Sequence, residues 1–219
     1  MPLIDSPSAG LNGGTPPAWA TRPGSLTSTL SAELAELRHS GRSDEALEVL
    51  ASCLRLQEDA RLLLQWRGRV RALTVYPRLG QCLLPRAVNR RPAPQGKTAT
   101  ADLAVIAVEA AGAAPGDGLR PLAPVLWRLA WQAPGPQLLT VLRGDLAFRL
   151  SPGLPATDWF PPALHAAAQR LQHDAAPLAT LARWPGMDRA QAVRLLNGAY
   201  LQGHLMRLQH HPSFWRRLF

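Results

Sequence analysis

The sequence predicts an α+β fold, helical at both ends and strand-bearing in the middle. Three observations carry that prediction. Apolar residues recur at helical spacing over residues 26–57. Short apolar runs stopped by proline or glycine fill residues 73–150. Residues 177–208, PLATLARWPGMDRAQAVRLLNGAYLQGHLMRL, place two helical patterns around a Pro-Gly turn.

The elements follow in order. Residues 1–25 are rich in Pro, Gly and Ser and are expected to form a disordered lead. Residues 26–40 set Leu30, Leu34 and Leu37 on one helical face, and Gly41 breaks the helix. Ser43 or Asp44 is expected to cap a second helix, to about Gln57, with Ala46, Leu47, Leu50 and Leu54 inward. This pair resembles one tetratricopeptide-type hairpin. A solenoid needs about three repeats and a single copy is visible, so the pair is taken as a local hairpin. A third helix is expected over residues 58–71, giving a helical region at 26–72.

The texture then changes. LTVYP and QCLLP are expected strands, each stopped by proline. Residues 88–100 are expected to be a loop. LAVIAVEA, 103–110, is a continuous apolar run suited to a buried strand. Residues 121–131 predict a short helix with Leu122, Val125, Leu126 and Leu129 inward. Residues 137–142 and 146–150 are expected to pair as a hairpin around Arg143-Gly144-Asp145. The middle is thus expected to be a small α+β domain, about 73–155.

A helix at about 162–172 opens the last unit, expected at 156–219. Pro177 suits a first helical turn, where its missing N–H costs little. Pro185-Gly186 makes the turn. Asp188 and Gln191 have capping-box spacing. Val193, Leu196 and Tyr200, with Leu195 and Ala199, form a broad apolar stripe, and Gly203 suits the helix end. Residues 205–208 predict a short strand. This order resembles the winged-helix superfamily over about residues 160–210. In that family the second helix of the pair often enters the DNA major groove. The resemblance implies Arg189, Gln191 and Arg194 as the residues nearest bases. The sequence departs from the family pattern after Leu208, where QHHPSFWRRLF holds no second strand run. The helix also carries Gly198 and Leu201 opposite its main stripe, and a helix apolar on several sides is usually docked against protein.

Charge points the same two ways. The 219 residues hold 24 Lys and Arg against 15 Asp and Glu, a net charge of +9. Lys97 is the only lysine, as a GC-rich bacterial-type coding bias would give. Residues 26–60 are mildly acidic, with Glu33, Glu36, Asp44, Glu45, Glu48, Glu58 and Asp59. Residues 61–100 carry no acid and include Arg67, Arg69, Arg71, Arg90 and Arg91 as anion-facing candidates. A solvated surface meeting the acidic helices accounts for this block equally well.

Motifs for chemistry are weak. Gly96-Lys97-Thr98 lacks the glycine that a phosphate loop needs at position 91, which is Arg91. Arg143-Gly144-Asp145 fits a tight turn. The six histidines and two cysteines have no zinc spacing, so no metal is expected. Cys53 and Cys82 sit among leucines and are expected as buried thiols. No nucleophile sits in a Gly-x-Ser-x-Gly turn. No catalytic residues and no cofactor are expected. No apolar run of about 18 residues and no signal-like N-terminus occur, which sets a cytoplasmic expectation.

The tail is the most suggestive motif. Phe214, Trp215, Arg216, Arg217 and Phe219 set aromatic bulk beside paired arginines, the usual anchors of protein interfaces. The leading expectation is a non-enzymatic adaptor or regulatory protein. It would bind a protein partner through its C-terminal winged-helix-like unit and tail. The alternative is a DNA-binding regulator using Arg189, Gln191 and Arg194.

Overall fold

A computed structural model describes residues 25–42, 45–66, 69–84, 103–112, 118–133, 136–153 and 162–209. All but Ser25 of the expected lead, and the whole of the loop at 88–100, lie outside these residues. Helix and sheet are mixed, as the α+β expectation required: six α-helices and two antiparallel sheets among the described residues.

Helix α1 (Ser28–His39) starts where the Thr27 side chain accepts from Leu30 N. Helix α2 (Ala46–Leu56) buries almost every side chain from Ala46 to Cys53. Glu45 occupies its cap position, without a side-chain cap bond. Residues 43 and 44, the expected caps, lie outside the described residues. The expected third helix is absent. Residues 58–71 instead give strand β1 (Ala60–Trp66) and the start of β2 (Arg69–Tyr76). The Leu62-Leu63-Leu64 run suits either period. Pairing decides it, because Leu62 and Leu64 go inward beside Ala60 while Arg61 points out. The 26–72 stretch is therefore helical only in its first half.

A 3-10 turn at Pro77–Leu79 leads into β3 (Gln81–Leu83). With β4 (Ala104–Ala110) and β5 (Leu119–Pro121) the sheet order is β4-β1-β2-β3-β5. The LTVYP, QCLLP and LAVIAVEA runs form strands as expected. The burial expected for the last does not hold. Among the described residues strand β4 is an edge, with β1 as its one strand neighbour and a single bridge from Ala104 to Glu45 besides, and Ile106 is 50% exposed.

Helix α3 (Leu122–Gln132) follows as expected. The hairpin expected at 137–150 does not form. Residues Thr140–Leu142 make a 3-10 turn, and β6 (Leu146–Leu150) pairs with strands much later in the chain. The physical reason is that side chains claim the backbone before Arg143. Asn197 Oδ1 accepts from Leu139 N at 3.1 Å, and its Nδ2 donates to Gln137 O at 2.8 Å. Glu48 Oε1 accepts from Thr140 N at 2.7 Å. Leu139 and Leu142 are buried anchors between these bonds.

The last unit is α4 (Pro162–His173), β7 (Ala176–Pro177), α5 (Leu178–Leu181), α6 (Arg189–Leu201) and β8 (Leu205–Gln209). The capping box of α6 is complete: Asp188 Oδ1 accepts from Gln191 N at 2.7 Å, and Gln191 Oε1 accepts from Asp188 N at 2.9 Å. Gly203, at φ 72, ends the helix in the left-handed conformation that suits glycine. The second sheet has order β7-β6-β8. Strand β6, upstream of the helices, is the pairing partner of β8 among the described residues. No described helix is long and apolar enough to cross a membrane.

Helix α6 lies at the centre. It packs on α2, α3, α4, α5 and β8, and one continuous core joins residues of both sheets. Its closest neighbour is α3. The Trp127 ring, fully buried, lies directly over Gly198 with no room for a Cβ between them. Alanine normally favours a helix over glycine by about 1 kcal/mol. Here Gly198→Ala is expected to destabilise by about 1–3 kcal/mol, because the ring and the helix must separate. In a Trp127→Ala background the same change is expected to be neutral or stabilising. Urea unfolding of the four proteins measures that coupling.

Candidate docking surface

The residues expected to read bases sit in the first two turns of α6. Only Arg189 points fully into solvent. The carbonyl of the Gln191 side chain is engaged in the capping box. The Arg194 guanidinium lies 5.6 Å from the centre of the Trp131 ring on α3, within cation–π range, and its Nε is buried. From Leu195 to Ala199 every residue of the helix is buried, as is Leu201. Gly198 and Leu201, expected on an outward side, are covered: α3 occupies that side.

Of the anion-facing candidates, Arg69 and Arg71 are described. Both are exposed and share one face of β2, two residues apart. Arg67, Arg90 and Arg91 lie outside the described residues. Nearby, Arg61 is 3.7 Å from Glu109 across β1 and β4, so part of this positive sheet is balanced within the fold. Phe214, Trp215, Arg216, Arg217 and Phe219 also lie outside the described residues.

The surface next to them is described. Among the described residues strand β8 is a sheet edge, paired only to β6. Met206 and Leu208 project from its outer face at 41% and 43% exposure, beside Arg149 on β6. Arg149 Nε donates to Gln172 O at 3.1 Å. Arg207 Nη1 donates to Val141 O at 2.9 Å and ties the strand to the 3-10 turn. Ser151 N donates to His204 O at 2.8 Å, and Ser151 Oγ is 3.1 Å from His204 Nδ1. These contacts lock the ends of β6 and β8 together. An exposed edge with apolar side chains is a template for a further strand.

Two grooves flank α2. One, of about 450 Å³, runs between α2, α3 and the end of α6, lined by Leu54, Pro77, Leu122, Leu126, Tyr200 and Gln202. The other, of about 500 Å³, lies between α1, α2 and the 3-10 turn, lined by Glu33, Glu36, Leu37, Arg55, Val141 and Tyr200. Beneath it, Arg42 pairs with Glu48 at 2.7 Å and Glu45 at 2.7 Å, and also donates to Thr140 Oγ1. The hydrogen bonds that Arg42 donates to Glu45, aided by the charge of Glu48, raise the Arg42 pKa further above its already high ordinary value. Glu48, 5% exposed, thus has Oε1 bonded to Arg42 and to the backbone N–H and hydroxyl of Thr140.

Sequence reasoning missed Asn197, Glu48 and the Trp127–Gly198 contact. The Asn-Gly pair inside an apolar helix is the available signal: both residue types are poor helix formers and need a packing reason. Among the described residues, no three His, Cys, Asp or Glu side chains gather as metal ligands.

Two outcomes follow from these contacts. Asn197→Ala leaves the Leu139 N–H buried without a partner and removes the bond to the Gln137 carbonyl, and should cost about 1–3 kcal/mol in chemical denaturation. Burial pushes the Cys53 thiol up to about 12 and raises Cys82 as well. Neither thiol should react with a maleimide at pH 8 in the folded protein, and both should react in denaturant. The sign for stability is fixed by the same shift. Because the folded Cys53 pKa exceeds its unfolded value of 9.0, its contribution is complete below pH 9 and falls as pH rises towards about 12.

The chain matches no family model, no curated protein and no solved structure.

Proposed function

We propose that this protein is a non-enzymatic adaptor or regulatory protein that binds a protein partner. The docking surface is the outer face of the β7-β6-β8 sheet, extended by the tail that follows β8. One observation carries the reading. The helix that would read DNA in a winged helix is enclosed by α3, which leaves Arg189 as its one fully exposed candidate. A recognition helix needs several free side chains on one face.

The order α4, β7, α5, α6, β8 supports a winged-helix-like unit in which β6 replaces the strand that normally follows. Such a unit, with its reading helix inside, is suited to docking. Met206 and Leu208 offer apolar contact at an open strand edge. Phe214 and Trp215 add the aromatic anchors that dominate interface energies.

A duplex-binding titration tests the choice between protein and DNA. The net charge of +9 should give weak, salt-steep binding without sequence preference, unchanged by Arg194→Ala. Sequence-specific binding lost in Arg194→Ala would restore the DNA reading. In parallel, affinity capture should recover a partner with the intact chain and lose it with Phe214→Ala/Trp215→Ala, with the circular dichroism spectrum unchanged. Loss of the folded spectrum would make those aromatics core residues.

A further inference from the structure

We infer that the groove between α1, α2 and the Thr140–Leu142 turn is the resting seat of the chain's own C-terminal segment, residues 210–219. The groove is acidic and incompletely bonded. It holds Glu33, Glu36 and Glu48 against Arg55. Glu48 is committed to Arg42 and Thr140. Glu33 pairs with Arg55 through Oε1, while its Oε2 is buried without a hydrogen-bond partner. Glu36 is exposed and has no charged partner among the described residues. A buried carboxylate oxygen without a donor costs about 1–3 kcal/mol or more. A guanidinium relieves that cost well, since it offers several donors in a fixed fork.

The walls add apolar surface from Leu37, Val141 and half-buried Tyr200. The matching occupant combines arginine with aromatic bulk and carries no acid. The segment HHPSFWRRLF has that composition: Arg216 and Arg217 between Trp215 and Phe219, with no Asp or Glu.

Placement favours the same segment. Strand β8 ends at Gln209, paired with Leu146. Two residues earlier, Arg207 is bonded to the carbonyl of Val141, which lines the groove. The end of the strand is thus within one arginine side chain's length of a residue that lines the groove. Ten extended residues span at most about 35 Å, and Arg216 is at most about 25 Å beyond Gln209. Helix α1, with 12 residues, is about 18 Å long. The reach covers the whole groove. A tethered segment acts at an effective concentration of about 1 mM, so modest intrinsic affinity suffices. The consequence rests on the adaptor reading: a partner that takes the tail must first draw it from this seat.

The test uses full-length proteins and a labelled peptide of residues 210–219. A peptide Kd near 100 μM against a tethered competitor at about 1 mM predicts about tenfold weaker binding to the wild type than to Arg216→Glu/Arg217→Glu. Adding Glu36→Lys, an exposed position, to that variant should weaken the peptide at least tenfold, with the circular dichroism spectrum unchanged. Equal binding to wild type and the double variant would overturn the inference, as would binding insensitive to Glu36→Lys or no binding at all. Light scattering of the wild type is expected to give a monomer; a dimer abolished by the arginine changes would place the tail in a second copy and overturn the seat within one molecule. The adaptor reading fails separately. If the peptide behaves as expected but no partner depends on Trp215, the seat stands without it.

Discussion

The contact between Trp127 and Gly198 sets the arrangement of everything around it. Because position 198 has no side chain, α3 can lay a full indole ring against the backbone of α6. That approach lets α6 become the hub on which α2, α3, α4, α5 and β8 converge. It also fuses the cores of the two sheets into one. The surface of α6 from Leu195 to Ala199 is spent on packing, and the exposed apolar side chains lie further out, on the edge strand that α6 supports.

Polar side chains complete what the indole begins. Asn197, one residue before the glycine, holds the backbone at Gln137 and Leu139. Glu48 holds Thr140 from the other side and is itself neutralised by Arg42. These buried bonds are specific in direction and have no apolar substitute that would fix the same loop. They stretch the residues before Arg143 into a strap across the helices, which leaves β6 free to pair with β7 and β8. The sheet that carries Met206 and Leu208 thus depends on a side-chain amide 58 residues away in sequence from the Leu139 N–H that it holds.

The legible parts of the fold were those fixed by local chemistry. The capping box at Asp188 and Gln191, the glycine end at Gly203 and the proline-bounded strands at 73–76 and 81–83 all stand where residue type and spacing put them. The misread parts were those decided by distant partners. The leucine run at 62–64 satisfied both periods until β2 and β4 paired with it. The run at 104–110 is apolar enough for a central strand, yet it has a neighbour on one side only. The loss of the hairpin at 137–150 was hidden in Asn197 and Glu48, whose partners lie in other elements. At the candidate surface, the sequence supplied the residue types, while the acidity of the groove and the enclosure of α6 emerged only from packing.

Native-state hydrogen exchange on the full chain tests the central claim most directly, namely that α3 is a permanent cover of α6 and not a detachable one. The account predicts that amides in residues 195–201 and 126–130 exchange only through global unfolding, with the same opening free energy as the strand at 146–150. Opening of α3 at a clearly lower free energy, with α6 exposed while that strand stays protected, would contradict it.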